Sequence, residues 1–150
     1  MEPLAGRVLA LDLGKRRIGM AVSDELGITA QGIETLQRTN IREDLARIAE
    51  IATFQNVSLV VMGQPVHMTG REGRQSAYTR EFAERLQART GLIVEFWDER
   101  LTTAIAERVL RESGISIEKR AKAVDQLAAT ILLESYLDAR SARLAEQPPQ

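Results

Sequence analysis

The segment RVLALDL, residues 7–13, is almost continuously apolar, and no other pattern in the chain limits the possible folds as much. A strand whose two alternating sets of side chains are both apolar must be covered on both faces, which puts it in the middle of a sheet with layers above and below. GKRR then reads as a tight turn. IGMAVSD and ITAQGIETL follow as two further strands punctuated by glycine, so the chain opens as a three-strand meander.

From Asn40 the period changes. Asn40 with Glu43 resembles a capping box, and Ile41, Leu45, Ile48 and Ala52 recur at helical spacing. VSLVVMG (57–63) is a buried strand and QPVHMTGREG (64–73) a polar loop; Tyr78, Phe82 and Leu86 mark a helix that Gly91 can end in the left-handed conformation. The strand LIVEFWDE follows. Thr102 or Thr103 caps a helix containing Ile105 and Val109 and ended by Gly114, and Ser116 caps a last helix running to about Arg140. The order β-β-β-α-β-α-β-α-α predicts an α/β architecture, a mixed sheet with helices on its faces. With 150 residues, 44% of them hydrophobic, one domain is expected over 1–140, and 141–150, ending in EQPPQ, is expected to be a disordered tail.

Composition excludes several chemistries. A net charge of -1 gives no general attraction to nucleic acid, so any polyanion site must be a local patch. The chain has no cysteine and a single histidine, His67, which removes disulfides, thiol nucleophiles, zinc fingers and two-imidazole zinc sites. The start lacks the basic segment and long apolar core of a secretory signal, and no apolar run approaches the ~20 residues that span a bilayer, so a cytoplasmic protein without a membrane partner is expected.

Three places carry acids where the pattern calls for apolar residues. Asp12 ends a central strand; it either shapes the turn with Gly14 or faces the strand-end edge where α/β sheets bind ligands. Asp125 has Ala128, Ala129 and Leu132 at i+3, i+4 and i+7, on the stripe that should face the protein, where an unpaired charge costs several kcal/mol. An ion pair with Lys122 or Arg100 would answer that need, and so would a metal. In VEFWDERLTT (94–103), Asp98 and Glu99 must face opposite ways: Asp98 with Val94 and Phe96, Glu99 with Ile93 and Trp97. Periodicity does not choose between them, and Asp98 can also cap the next helix. Three such carboxylates together would repel by roughly 4 kcal/mol per close pair. A divalent cation relieves that, and oxygen donors without sulfur or imidazole suit magnesium or manganese. Such a cluster can activate water for in-line phosphodiester cleavage, which is nuclease chemistry.

In order along the chain stand D-x-G-x-x-R-x-G (Asp12, Gly14, Arg17, Gly19), G-x-P with M-x-G (Gly63, Pro65, Met68, Gly70), DERLTT at 98–103, and V-D-x-L-A-A from Val124 to Ala129. On these four motifs, spread over residues 8 to about 138, the chain resembles the YqgF/RuvX family, the pre-16S rRNA nucleases related to Holliday-junction resolvases. The resemblance implies a ribonuclease H-like fold, with three antiparallel N-terminal strands and then two parallel ones. It implies a magnesium or manganese site at Asp12, Glu99 and Asp125; Glu99 is preferred to Asp98 because the resolvase relatives place a glutamate at the end of this strand. It implies an endonuclease acting at the 5′ end of pre-16S rRNA, within a pre-ribosomal particle, as a monomer or a homodimer. Resolution of branched DNA is the alternative within the family and calls for a symmetric dimer. A non-catalytic RNA-binding assembly factor is the alternative outside enzymology. Actin-like kinases also begin with DLG, but they need a second, duplicated domain. Gln64 departs from the aliphatic residue expected between Gly63 and Pro65.

Arg17, Arg71, Arg74 and Arg100 are candidates for holding phosphates, since a guanidinium can contact them in bidentate fashion. Each also reads as a solvated or ion-paired surface residue, Arg17 and Arg100 least so because they adjoin the acids. Lys119, Arg120 and Lys122 place positive charge at a helix start, against the helix dipole, which hints at backbone contacts to nucleic acid. His67 reads as a loop residue near the site, and Trp97 as core rather than a base-stacking platform.

Overall fold

The computed structural model describes residues 6–64, 71–98, 112 and 117–146. Strand β1 (Arg7–Leu13) lies at the centre, with Val8, Leu9, Ala10 and Leu11 fully buried. It is followed by β2 (Arg17–Ser23), β3 (Ala30–Gly32), β4 (Leu36–Gln37), α1 (Ile41–Phe54), β5 (Val57–Gln64), α2 (Arg71–Thr90), β6 (Ile93–Asp98) and α3 (Ile117–Glu146). The sheet order is β3-β2-β1-β5-β6, with β4 also pairing to β2. β1 pairs antiparallel with β2 and parallel with β5, and β5 pairs parallel with β6. This is the mixed sheet expected from the order of elements.

Alternation along β1 divides the interior in two. Leu9 and Leu11 join Ile18, Met20, Val60 and Met62 beneath Leu45 and Ile48 of α1 and Phe82 and Leu86 of α2. Val8 and Ala10 join Ala21, Leu59 and Val61 beneath Ala129, Leu132, Leu133 and Tyr136 of α3. Each fully buried aliphatic side chain contributes roughly 1.5–3 kcal/mol, so both covers are held mainly by this burial.

Several local details differ from the sequence reading. The third strand is split: between the pairs Ala21↔Gly32 and Ile18↔Leu36, β2 supplies Gly19 and Met20 while its partner supplies Ile33, Glu34 and Thr35. That extra residue is a β-bulge separating β3 from β4. At the start of α1, Asn40 accepts the Glu43 N–H at 2.9 Å, but the Glu43 carboxylate takes the Thr39 hydroxyl at 2.7 Å, so the capping box forms on one side only. Gln64 completes β5 and residues 71–73 open α2, shortening the expected loop at both ends. Arg71 and Glu72 favour helix there despite Gly73, without apolar periodicity to reveal it. Gly91 ends α2 as expected, with φ +74° and its N–H bonded to Gln87 O at 2.8 Å. α3 continues past Arg140 to Glu146; of the helix expected between Thr102 or Thr103 and Gly114 only Glu112, helical, is among the described residues, and the cap at Ser116 lies outside them.

Gly32 is where α3 comes closest to the edge of the sheet. A Cβ built there would stand 2.7 Å from Gln126 Cγ and 2.9 Å from its Nε2. Because Cγ itself is in the way, turning the amide tip alone cannot clear the contact: the whole Gln126 side chain must take another rotamer or α3 must shift. Gly32→Ala is therefore expected to destabilise by about 1–3 kcal/mol, the usual range for overpacking, measurable as a lower urea midpoint at unchanged slope.

Candidate active site

Asp12 is next to the last residue of β1 and half-buried; the parity of Val8 and Ala10 turns it to the α3 side of the sheet. Its partner in β2 is Gly19. One residue beyond the Leu11↔Met62 pair, the parallel ladder brings Gly63 of β5 alongside it, and Gly63 in turn pairs with Trp97.

Asp125 is a position of α3 four residues before Ala129 and seven before Leu132, both buried against the same face of the sheet. The next residue, Gln126, is the one pressed on Gly32. Asp12 and the Asp125 segment of α3 thus belong to one side of the molecule. Asp12 is the one proposed ligand whose side chain is among those described.

β6 alternates between the two cores. Val94 and Phe96 pack with the α1 and α2 side. Glu95 and Trp97 meet α3: Tyr136 donates its hydroxyl to Glu95 at 2.8 Å, Trp97 Nε1 donates to Ser135 Oγ at 3.0 Å, and the Trp97 and Tyr136 rings stand edge to face at 5.4 Å. Trp97 is a packing residue, as its sequence context suggested. β6 is described as far as Asp98, opposite Gln64; Glu99, Arg100 and His67 lie outside the described residues. Arg17 opens β2, half-buried, its carbonyl accepting the Gly14 N–H at 3.0 Å across the turn that follows Asp12. Arg71 and Arg74 belong to the first turn of α2, Lys119 and Arg120 to the first turn of α3, and Lys122 to its second.

One assembly near the site escaped the sequence reading. The Arg38 side chain, 12% exposed, donates from Nε to Asp44 at 3.1 Å, from one amino group to the Gly14 carbonyl at 2.9 Å, and from the other to the Tyr78 hydroxyl. Its guanidinium lies over the Tyr78 and Phe82 rings, 5.4 and 5.6 Å from their centroids. Burial alone would push this guanidinium down, but hydrogen bonds to Tyr78 and Asp44 outweigh it and hold the group above its ordinary pKa. Asp44, 2% exposed, also accepts the Thr39 N–H at 3.1 Å. A signal for Asp44 was present: it falls on the stripe of Ile41, Leu45, Ile48 and Ala52.

Comparison with known proteins bears on the family and the fold. The profile of the family described as "RuvX: Holliday junction resolvase" matches residues 6–139. A Symbiobacterium thermophilum protein named "Putative pre-16S rRNA nuclease" is 48% identical over 144 residues, covering 96% of this chain and 97% of that protein. A Myxococcus xanthus protein of the same name is 47% identical over 133 residues, covering 89% and 88%. Among solved structures, "T. thermophilus RuvC in complex with Holliday junction substrate" has a TM-score of 0.58 at 14% identity, covering 91% of this chain and 96% of that one. The chain therefore shares the fold of that resolvase.

The tie between α3 and β6 carries a pH signature. Burial first, and then the hydrogen bond to Glu95, raises the Tyr136 pKa above its ordinary value. A phenol with a raised folded-state pKa contributes stability that is complete below about pH 10, the unfolded value, and is lost as pH rises through the folded pKa. Tyr136→Phe is expected to lower stability at pH 7 by about 1 kcal/mol, the usual worth of one hydrogen bond. It should also flatten the decline above pH 10. Urea denaturation from pH 7 to 11 measures both.

Proposed function

The chain belongs to the RuvX family, and on that premise we propose that it is a metal-dependent endonuclease of ribonuclease H-like type, hydrolysing phosphodiester bonds at the 5′ end of pre-16S rRNA. The observation that carries this reading is the setting of Asp12: a carboxylate at the carboxyl end of the central strand, between Gly19 and Gly63, on the face that α3 covers with Asp125 in its chain. Asp12, Glu99 and Asp125 are the proposed ligands. For the strand-end acid, the alternation that sends Glu95 and Trp97 to α3 supports Glu99 over Asp98, because position 99 shares their parity.

The donor set fits magnesium or manganese: carboxylate oxygens, no thiol in the chain and a single imidazole. When bound, such an ion would supply an activated water and charge neutralisation at the leaving oxygen. Arg17 and Arg100, next to the acids in sequence, are proposed to hold the phosphates flanking the scissile bond. Arg71 and Arg74, with Lys119, Arg120 and Lys122, would contact the backbone farther out. With a net charge of -1 the chain draws RNA only weakly by itself, so presentation of the substrate within a pre-ribosomal particle fits, in the cytoplasm. Among the described residues no helix is long and apolar enough to cross a membrane.

The family description favours a second reading, resolution of four-way DNA junctions, which requires two sites arranged by a symmetric dimer. A side-by-side assay with manganese on RNA bearing the pre-16S 5′ end and on a four-way junction separates the two, with the oligomeric state measured in parallel. Cleavage of the junction with the RNA left intact would replace the RNA reading.

Asp12→Asn and Asp125→Asn are each expected to reduce cleavage at least about a hundredfold, at or beyond the 10–100-fold that follows loss of a group merely supporting a ligand. Folding should survive, and the metal-free protein should melt no lower, since close carboxylates repel by roughly 4 kcal/mol per pair at an effective dielectric near 20. Wild-type cleavage rates in either variant would exclude the carboxylate–metal mechanism.

A further inference from the structure

We infer that Arg38 is a positioning residue of the proposed active site, holding the turn between Asp12 and Arg17 in fixed relation to α1 and α2. The inference rests on the nuclease reading and extends it to a residue on the other side of the sheet from Asp12.

The turn is short and its own bonding is local: the Gly14 N–H meets Arg17 O at 3.0 Å. A Cβ at Gly14 would stand 2.6 Å from that same oxygen, so the backbone passes itself too closely to admit any side chain there. Arg38 grips the turn at two further points, once from its backbone and once from its side chain. Its backbone N–H donates to Arg16 O at 2.9 Å, and its guanidinium to Gly14 O at 2.9 Å. Two further donors of the same guanidinium go to Asp44 in α1 and Tyr78 in α2, and its plane lies against Tyr78 and Phe82. One rigid planar group thus joins three elements. Gly14 is two residues from Asp12, and Arg17 closes the turn. Tyr78 is seven residues, two helical turns, from Arg71, where α2 begins. A shift of the guanidinium therefore displaces a proposed metal ligand, a proposed phosphate contact and the start of α2 relative to one another. Displacements on the order of 1 Å at a site can lower rates by about a hundredfold.

Arg38→Lys tests this. Lysine keeps the charge beside Asp44 but cannot reproduce the three-way planar fork. The expected result is a folded protein whose Gly14 and Arg38 amides exchange at least about tenfold faster. Its kcat for manganese-dependent RNA cleavage should fall about 10–100-fold while KM stays within about threefold. Tyr78→Phe, which removes one acceptor and leaves the ring, should move both readouts in the same direction by a smaller factor. It serves as the test if Arg38→Lys does not fold. Unchanged kcat in a folded variant overturns the inference, whether or not the amides exchange faster, and so does a loss confined to KM. Wild-type protein that cleaves neither RNA nor junction sinks the nuclease reading itself and takes the catalytic part of Arg38 with it. A cleaving wild type with an equally active Arg38→Lys variant sinks only the Arg38 inference.

Discussion

A strand covered on both sides cannot carry a charge along its length, because an unpaired carboxylate in either core would cost several kcal/mol. β1 keeps to this rule for four consecutive buried residues, Val8 to Leu11, and admits Asp12 only where full burial ends. The transition is abrupt: Leu11 is fully buried and its neighbour is half-buried. Parity then assigns the acid to the α3 face, and the ladder sets glycines on both sides of it. The place of Asp12 thus follows from how β1 is buried, with no further instruction from the residues around it.

α3 is fixed at two lateral points. Gln126 meets Gly32 on β3, at one edge of the sheet, and Ser135 and Tyr136 meet Trp97 and Glu95 on β6, at the other. The ten residues from 126 to 136 rise about 15 Å, close to the ~19 Å spanned by four strand spacings, so the helix crosses the strands rather than running along them. β1 lies between the anchors, beneath Ala129, Leu132 and Leu133. A helix held at both edges has little freedom to rise over the middle strand, which makes Gly32 and Tyr136 determinants of how α3 approaches the Asp12 face.

Local periodicity disclosed what depends on neighbours in sequence. The buried run of β1, the Asn40 cap, the Gly91 stop and the apolar stripe of α3 were all legible, and the stripe is what drew attention to Asp125. The same reasoning reaches Asp44, which shares the buried face of α1, but an acid in a helix's first turn is already explained by the dipole and so raises no question. Arg38 lies outside any periodic element, and its partners are 6, 24 and 40 residues away. Pairings at such separations leave no local pattern. Gly32 looked like punctuation, whereas its reason for being small is Gln126, in the last helix. Between Asp98 and Glu99 the sequence alone had no means to choose, because alternation only says that the two face opposite ways.

The Arg38–Asp44 pair is not explained by stability alone. Desolvating two charges costs several kcal/mol each, and well-packed apolar side chains of similar volume often do as well or better. An apolar residue at position 38 could fill the space against Tyr78 and Phe82, yet it could not donate to the Gly14 carbonyl or to the Tyr78 hydroxyl. The Gly14 carbonyl belongs to a half-buried residue, and Arg38 supplies its donor directly after the strand that carries Asp12. Asp44 is then required less as a source of attraction than as the group that balances the guanidinium charge and keeps it correctly aimed in a largely buried setting. What the pair supplies is a fixed direction for one carbonyl, and through it a fixed end for β1.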